Sequence, residues 1–82
     1  MVLVDISVPV FFREYDFKLR DDVPIGEVIK QICRILTEKE NCSMDENKHE
    51  FVLCSVTEKK ILNKDWTLNR HNVRSGNRLL LI

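Results

Sequence analysis

Three cysteines, two histidines and a pair of adjacent aspartates are the residues of this 82-residue chain best suited to chemistry. A nucleophilic site needs a Cys or Ser, a base within reach and a group that orients the base. Cys33 falls in a helix-like segment and Cys54 in a β-rich one. His49 lies in an acidic stretch and His71 in a turn-like segment near the end, so no spacing brings a thiol and an imidazole together. For a metal centre, Cys33, Cys42, His49 and Cys54 are the right ligand types, but their spacings of nine, seven and five residues match no zinc pattern. Gly26 and Gly76 are the only glycines, so there is no Gly-rich loop to cradle a phosphate. Asp21 and Asp22 precede the helix-like segment, where negative charge suits a helix N-terminus better than it suits acid–base work. An odd number of cysteines without CxxC spacing excludes a complete disulfide set, and the thiols read as small buried or half-buried side chains. The residues point away from an enzyme and imply no cofactor or metal.

Composition narrows the class further. The chain is one domain's worth, residues 1–82, and a domain of this size buries only about 60% of its unfolded surface. An apolar share of 44% suffices for one core, and 32% charged residues suit a folded, water-facing surface. Thirteen basic and thirteen acidic side chains cancel, which removes any general attraction to nucleic acid or anionic membrane. No apolar run reaches the ~18 residues of a membrane helix, and the N-terminus lacks a signal-peptide pattern, so a cytoplasmic location without membrane insertion is expected. Six cations between Lys59 and Arg78 stand against Asp65 alone. With Trp66 beside them they hint at base stacking, but a solvated surface with Trp66 partly in the core explains them more simply.

The elements follow from periodicity. Val2, Val4, Ile6 and Val8 alternate with Leu3, Asp5 and Ser7, the mark of a strand with one buried face. Pro9 ends that strand. Alternation resumes at Tyr15, Phe17 and Leu19, giving a hairpin whose link, Val10-Phe11-Phe12, is oddly apolar: it folds over the core or lies exposed at a contact site. Ile25, Val28, Ile29, Ile32 and Leu36 form one helical stripe, opened by Pro24 and fraying near Thr37 to Lys39. Gly26 costs about 1 kcal/mol against Ala and suggests a close approach of helix to strand. Residues 38–50 carry five acids and read as a surface loop. Residues 51–56 form a strand and Ile61-Leu62 a very short one. Trp66 and Leu68 return to the core, Ser75-Gly76-Asn77 makes a tight turn, and residues 78–82 form the last strand. One helix on a strand-rich chain gives an α+β two-layer domain.

That order resembles the β-grasp fold of ubiquitin-like proteins, a mixed four- to five-stranded sheet packed on one α-helix. The segments Val23-Pro24-Ile25-Gly26-Glu27-Val28-Ile29 and Trp66-Thr67-Leu68, through Val73 to Leu81, resemble the start of that family's helix and its closing turn and strand. Val4-Asp5-Ile6-Ser7-Val8, Tyr15-Asp16-Phe17-Lys18-Leu19-Arg20 and Asn72-Val73-Arg74-Ser75-Gly76-Asn77-Arg78-Leu79 look most like the bacterial YukD/EsaB group, small ubiquitin-like proteins associated with type VII secretion. The resemblance implies a protein-binding module that is an accessory or regulatory component of such a system. Conjugated modifiers end in a flexible Gly-Gly tail, whereas this sequence ends at Ile82 inside the expected last strand. A non-conjugated role is therefore expected. The alternative is a modifier or carrier truncated before its tail.

The same arrangement makes the third and last strands neighbours. With Leu79 and Leu81 facing the helix, Arg78, Leu80 and Ile82 face away; with Phe51 and Leu53 inward, Val52 and Cys54 face outward. Val52, Leu80 and Ile82 then form an exposed apolar patch with Arg78 at its rim, the expected protein-interaction site. A partner from the secretion machinery is the first expectation, a homodimer through the same face the second, and nucleic acid a poor third.

Overall fold

The computed structural model describes residues 1–44 and 49–82. Strand β1 (Val2–Val8) buries the four alternating residues named above, and Pro9 converts the chain at once into a 3-10 turn over Pro9–Phe11. Strand β2 (Arg13–Leu19) runs back antiparallel, from Val8 opposite Arg13 to Val2 opposite Leu19. The apolar link divides: Phe11 packs against the core, while Val10 and Phe12 are exposed.

Helix α1 (Ile25–Glu40) buries Ile25, Val28, Ile29, Ile32, Cys33 and Leu36 along one stripe. Its first N–H groups have no side-chain cap. The Ile25 N–H donates to the Trp66 carbonyl at 2.8 Å and the Gly26 N–H to the Lys64 carbonyl at 3.1 Å, so a distant loop satisfies donors that a helix leaves unpaired. Asp21 and Asp22 have other partners: the N-terminal ammonium at 3.5 Å and the Arg20 guanidinium at 3.1 Å. A Cβ on Gly26 would meet the Lys64 carbonyl at 3.7 Å, an ordinary contact; the close neighbour is that loop, not a strand, and it leaves room.

The helix does not fray at Thr37. It continues to Glu40 and stops at Asn41, whose φ of 51° turns the backbone left-handed. Of the expected loop, residues 38–40 are therefore helical, and residues 45–48 lie outside the described residues.

Strand β3 (Leu53–Ser55), the two-residue β4 (Lys60–Ile61) and β5 (Arg78–Leu81) complete a five-stranded sheet in the order β2-β1-β5-β3-β4. β5 lies parallel to β1 and antiparallel to β3. Reciprocal Val52 and Ile82 backbone hydrogen bonds of 2.7 and 3.0 Å carry the β3–β5 pairing past the strand ends. Before β5, the Asn77 N–H closes a turn on the Arg74 carbonyl at 3.0 Å, with Gly76 at φ 91°, a conformation that favours glycine. Leu53, Leu62, Leu68, Val73, Leu79 and Leu81 join β1, β2 and α1 in one core between helix and sheet.

Candidate functional site

The outer sheet face, opposite α1, is set by strand register. One row of facing residues crosses all five strands: Glu14, Ser7, Leu80, Cys54 and Ile61. Beside it, Asp16 faces Asp5, and Asp5 faces Arg78. Period-two alternation explains the sidedness: Leu79, Leu81 and Leu53 are buried toward the helix, so their neighbours must point outward. The row passes from acid on β2 to apolar on β5, β3 and β4.

The residues expected to form a patch lie as the alternation required. Val52 and Leu80 are half-buried on the outer side and Ile82 is 51% exposed. Arg78 is exposed and reaches Asp5 through an ion pair of 3.9 Å. The patch is wider than expected. Ile61 sits opposite Cys54 and is 70% exposed, and the two extend the apolar surface to the sheet edge. Sequence reasoning missed Ile61 because a two-residue strand has no periodicity to read.

A second apolar surface joins the first at Ile82. A groove of about 650 Å³ opens at the end of the sheet, lined among others by Val8, Phe11, Met44, Phe51, Leu81 and Ile82. It exists because the Pro9–Phe11 turn and the chain beyond α1 stand on either side of the end of β5. His49 packs edge-on against Phe51 at 4.5 Å between centroids.

The chemistry-bearing residues are dispersed. Cys33 is buried on α1, Cys42 is exposed beyond its end, and Cys54 is half-buried on the outer sheet face. Among the described residues, no group of three His, Cys, Asp or Glu could hold a metal ion. His71 is buried, and its Nε2 accepts the Asn63 N–H at 2.9 Å. That bond places the imidazole proton on Nδ1, which is buried without a hydrogen-bond partner among the described residues. Burial first, and the Lys60 charge second, hold the His71 pKa below its ordinary 6.5. The ring is therefore a neutral structural acceptor.

The cations between Lys59 and Arg78 likewise divide. Lys64 pairs with Glu50 at 3.0 Å, Arg78 with Asp5, and the Arg70 guanidinium lies 3.8 Å from the centroid of the Trp66 ring. Trp66 also stacks on His71 at 4.8 Å, so its ring is already engaged by the chain itself.

A mixed five-stranded sheet holding one helix defines this chain as a ubiquitin-like β-grasp protein. Residues 3–81 match the family described as WXG100 protein secretion system (Wss), protein YukD, and the chain belongs to that family. Among solved structures it is similar to the EccD5 ubiquitin-like domain from Mycobacterium xenopi, at 21% identity and a TM-score of 0.76 over 99% of this chain and 91% of that one. The ubiquitin-like domain of the Mycobacterium tuberculosis type VII secretion protein EccD1 matches at 19% identity and a TM-score of 0.70, covering 100% of this chain and 99% of that one. Protomer 1 of the ESX-3 core complex matches at 20% identity and a TM-score of 0.73, over 99% of this chain but 15% of that one. At these identities the likeness is one of fold. No curated protein sequence matches the chain. No helix among the described residues is long and apolar enough to cross a membrane.

Proposed function

We propose that this chain is a cytoplasmic, non-enzymatic docking module that serves as an accessory or regulatory component of a type VII secretion system, capturing a protein of that machinery on the outer face of its sheet. The observation that carries the proposal is the apolar surface formed by Val52, Leu80, Ile82, Cys54 and Ile61, with Arg78 beside it. An outward apolar cluster crossing three strands costs solubility and adds nothing to the core, and such surfaces mark contact sites. Membership of the YukD family supports the choice of system. The fold shared with a chain of the ESX-3 core complex is consistent with a partner inside a secretion assembly.

The test is capture of secretion-machinery proteins by the tagged chain. Leu80→Asp is the first variant. Ile61→Asp, at a more exposed position, guards against misfolding, and circular dichroism checks that both variants are folded. Loss of a secretion component from both captures supports the proposal. Retention of that component by folded variants removes the outer face as its docking site.

A further inference from the structure

The acidic half of the outer face selects the chemistry of what binds there. Asp5 and Asp16 stand directly opposite each other on β1 and β2, and like charges in that relation destabilise a sheet. Glu14 follows on the same face, two residues from Asp16. The chain itself supplies little neutralisation. Arg78 reaches only Asp5, at 3.9 Å, with its side chain 65% exposed. Lys18 shares the face one pair further along, opposite Leu3, yet pairs with neither acid. Among the described residues, Glu14 and Asp16 have no ion-pair partner.

A depression of about 190 Å³ joins this acidic half to the apolar half. Asp5, Ser7 and Glu14 line it toward β2, and Leu80 and Val56 line it on the other side, with Arg78 beside Asp5. A carboxylate wall facing an aliphatic wall suits a side chain with an apolar stem and a cationic head.

The geometry points to a basic-apolar segment of a partner protein as the occupant of this face. A lysine or arginine of that segment sits in the depression against Asp5 and Glu14, with Asp16 opposite Asp5 on the same face, and its aliphatic neighbours cover Leu80, Cys54 and Ile61. This rests on the docking reading of the outer face. A second copy of the chain fits less well: paired about an axis through the depression, it would set these acids against their own copies.

A random peptide library displayed on phage supplies the probe. Selected on the wild-type protein, it should yield peptides in which Lys or Arg neighbours Leu, Ile, Val or Met. Replacing Glu14 and Asp16 together by lysine should lower the affinity of those peptides on the order of tenfold at low salt, with the loss shrinking as salt rises. The same double variant should select acidic peptides instead. Ile61→Asp should abolish binding. Selected peptides that carry no excess of basic residues, yet lose binding to Ile61→Asp, overturn the basic-partner inference and leave the docking reading standing. Selection of no peptide, or of peptides that bind Ile61→Asp as well as wild type, overturns both. A concentration-dependent dimer in sedimentation, broken by Ile61→Asp, makes a second copy the occupant and also overturns the inference.

Discussion

The Tyr15 hydroxyl donates to Glu40 Oε1 at 2.6 Å, tying the middle of β2 to the last residue of α1. Arg13 reaches the same carboxylate at 3.3 Å, and the Lys39 ammonium lies 5.3 Å from the centroid of the Tyr15 ring. These contacts explain why the helix outlasts its apolar stripe. Residues 38–40 have little to bury, but Glu40 accepts two hydrogen bonds from the strand beneath it. A helix end normally frays because its last residues gain nothing from tertiary packing. Here the gain comes from side chains 25 and 27 residues away.

A titration of the phenol tests this latch. Tyr15 is the only tyrosine, so near-ultraviolet absorbance follows one group. Its pKa stands above the ordinary 10.0, first because burial disfavours the phenolate and then because Glu40 holds the proton and repels the anion. The phenolate is therefore costlier in the folded than in the unfolded chain. This residue's contribution to stability is intact below pH 10.0 and declines as pH rises through the folded value. Glu40→Gln should lower the midpoint but not return it to the ordinary value, because burial remains. An unchanged midpoint would show that the carboxylate does not hold the phenol in solution.

His71 gives the opposite pH signature. Buried and neutral, it titrates below its ordinary 6.5. Above that value the folded and unfolded chains are both neutral there, and stability does not depend on this group. As pH falls below it, the unfolded chain takes up the proton first, and stability declines until the folded pKa is passed. The urea midpoint measured against pH should show this fall, and His71→Gln should remove its share. His71→Ala leaves the Asn63 N–H without its acceptor and should cost about 1–3 kcal/mol at neutral pH. A pH profile identical in wild type and His71→Gln would count against the buried neutral imidazole.

The parts of the fold that were legible are those with a period. Val2 to Val8 and Tyr15 to Leu19 alternate, and Ile25 to Leu36 keep a helical stripe; each is set by which side of a single element must be apolar. Leu79 to Ile82 are apolar throughout and carry no such period, so their sides follow only once Leu79 and Leu81 are set toward the helix, and their neighbours on the third strand only from the β-grasp resemblance. Features that depend on which distant residues meet were hidden. Ile61 joins the patch only through its register with Cys54, and the facing acids Asp5 and Asp16 arise only from the β1–β2 register. The burial of His71 beneath Trp66 and the extension of α1 to Glu40 are tertiary in the same sense, and no local composition announces either.

Gly26 offers a stabilising substitution. It sits in the first turn of α1 in a conformation open to any residue, and a Cβ would touch the Lys64 carbonyl at an ordinary 3.7 Å. Ala keeps the 3.1 Å bond from its N–H to that carbonyl and reduces the freedom of the unfolded chain. Gly26→Ala should raise stability by about 0.4–1 kcal/mol, read as a higher urea midpoint with an unchanged slope. A loss of stability would mean that the Lys64 loop packs on the helix more tightly than these distances indicate.

Phe12 presents the reverse case, a residue that burdens the fold. It ends the 3-10 turn with φ 52° and ψ 36°, the left-handed region, which is uncommon for a bulky side chain, and its ring is 96% exposed. The strain brings no burial in return. Asn tolerates this conformation far better, so Phe12→Asn should stabilise the folded chain by about 1 kcal/mol. The ring lines a shallow depression with Ser7, Arg13 and Glu14, beside the acidic end of the outer face. In the docking reading, an aromatic ring there is contact area for the partner, and the same substitution should weaken capture. Stability and binding would then move in opposite directions, which a purely structural role for Phe12 does not produce. Thermal unfolding and capture measured on one preparation decide the matter: a variant that is more stable and binds as well as wild type shows that Phe12 takes no part in docking.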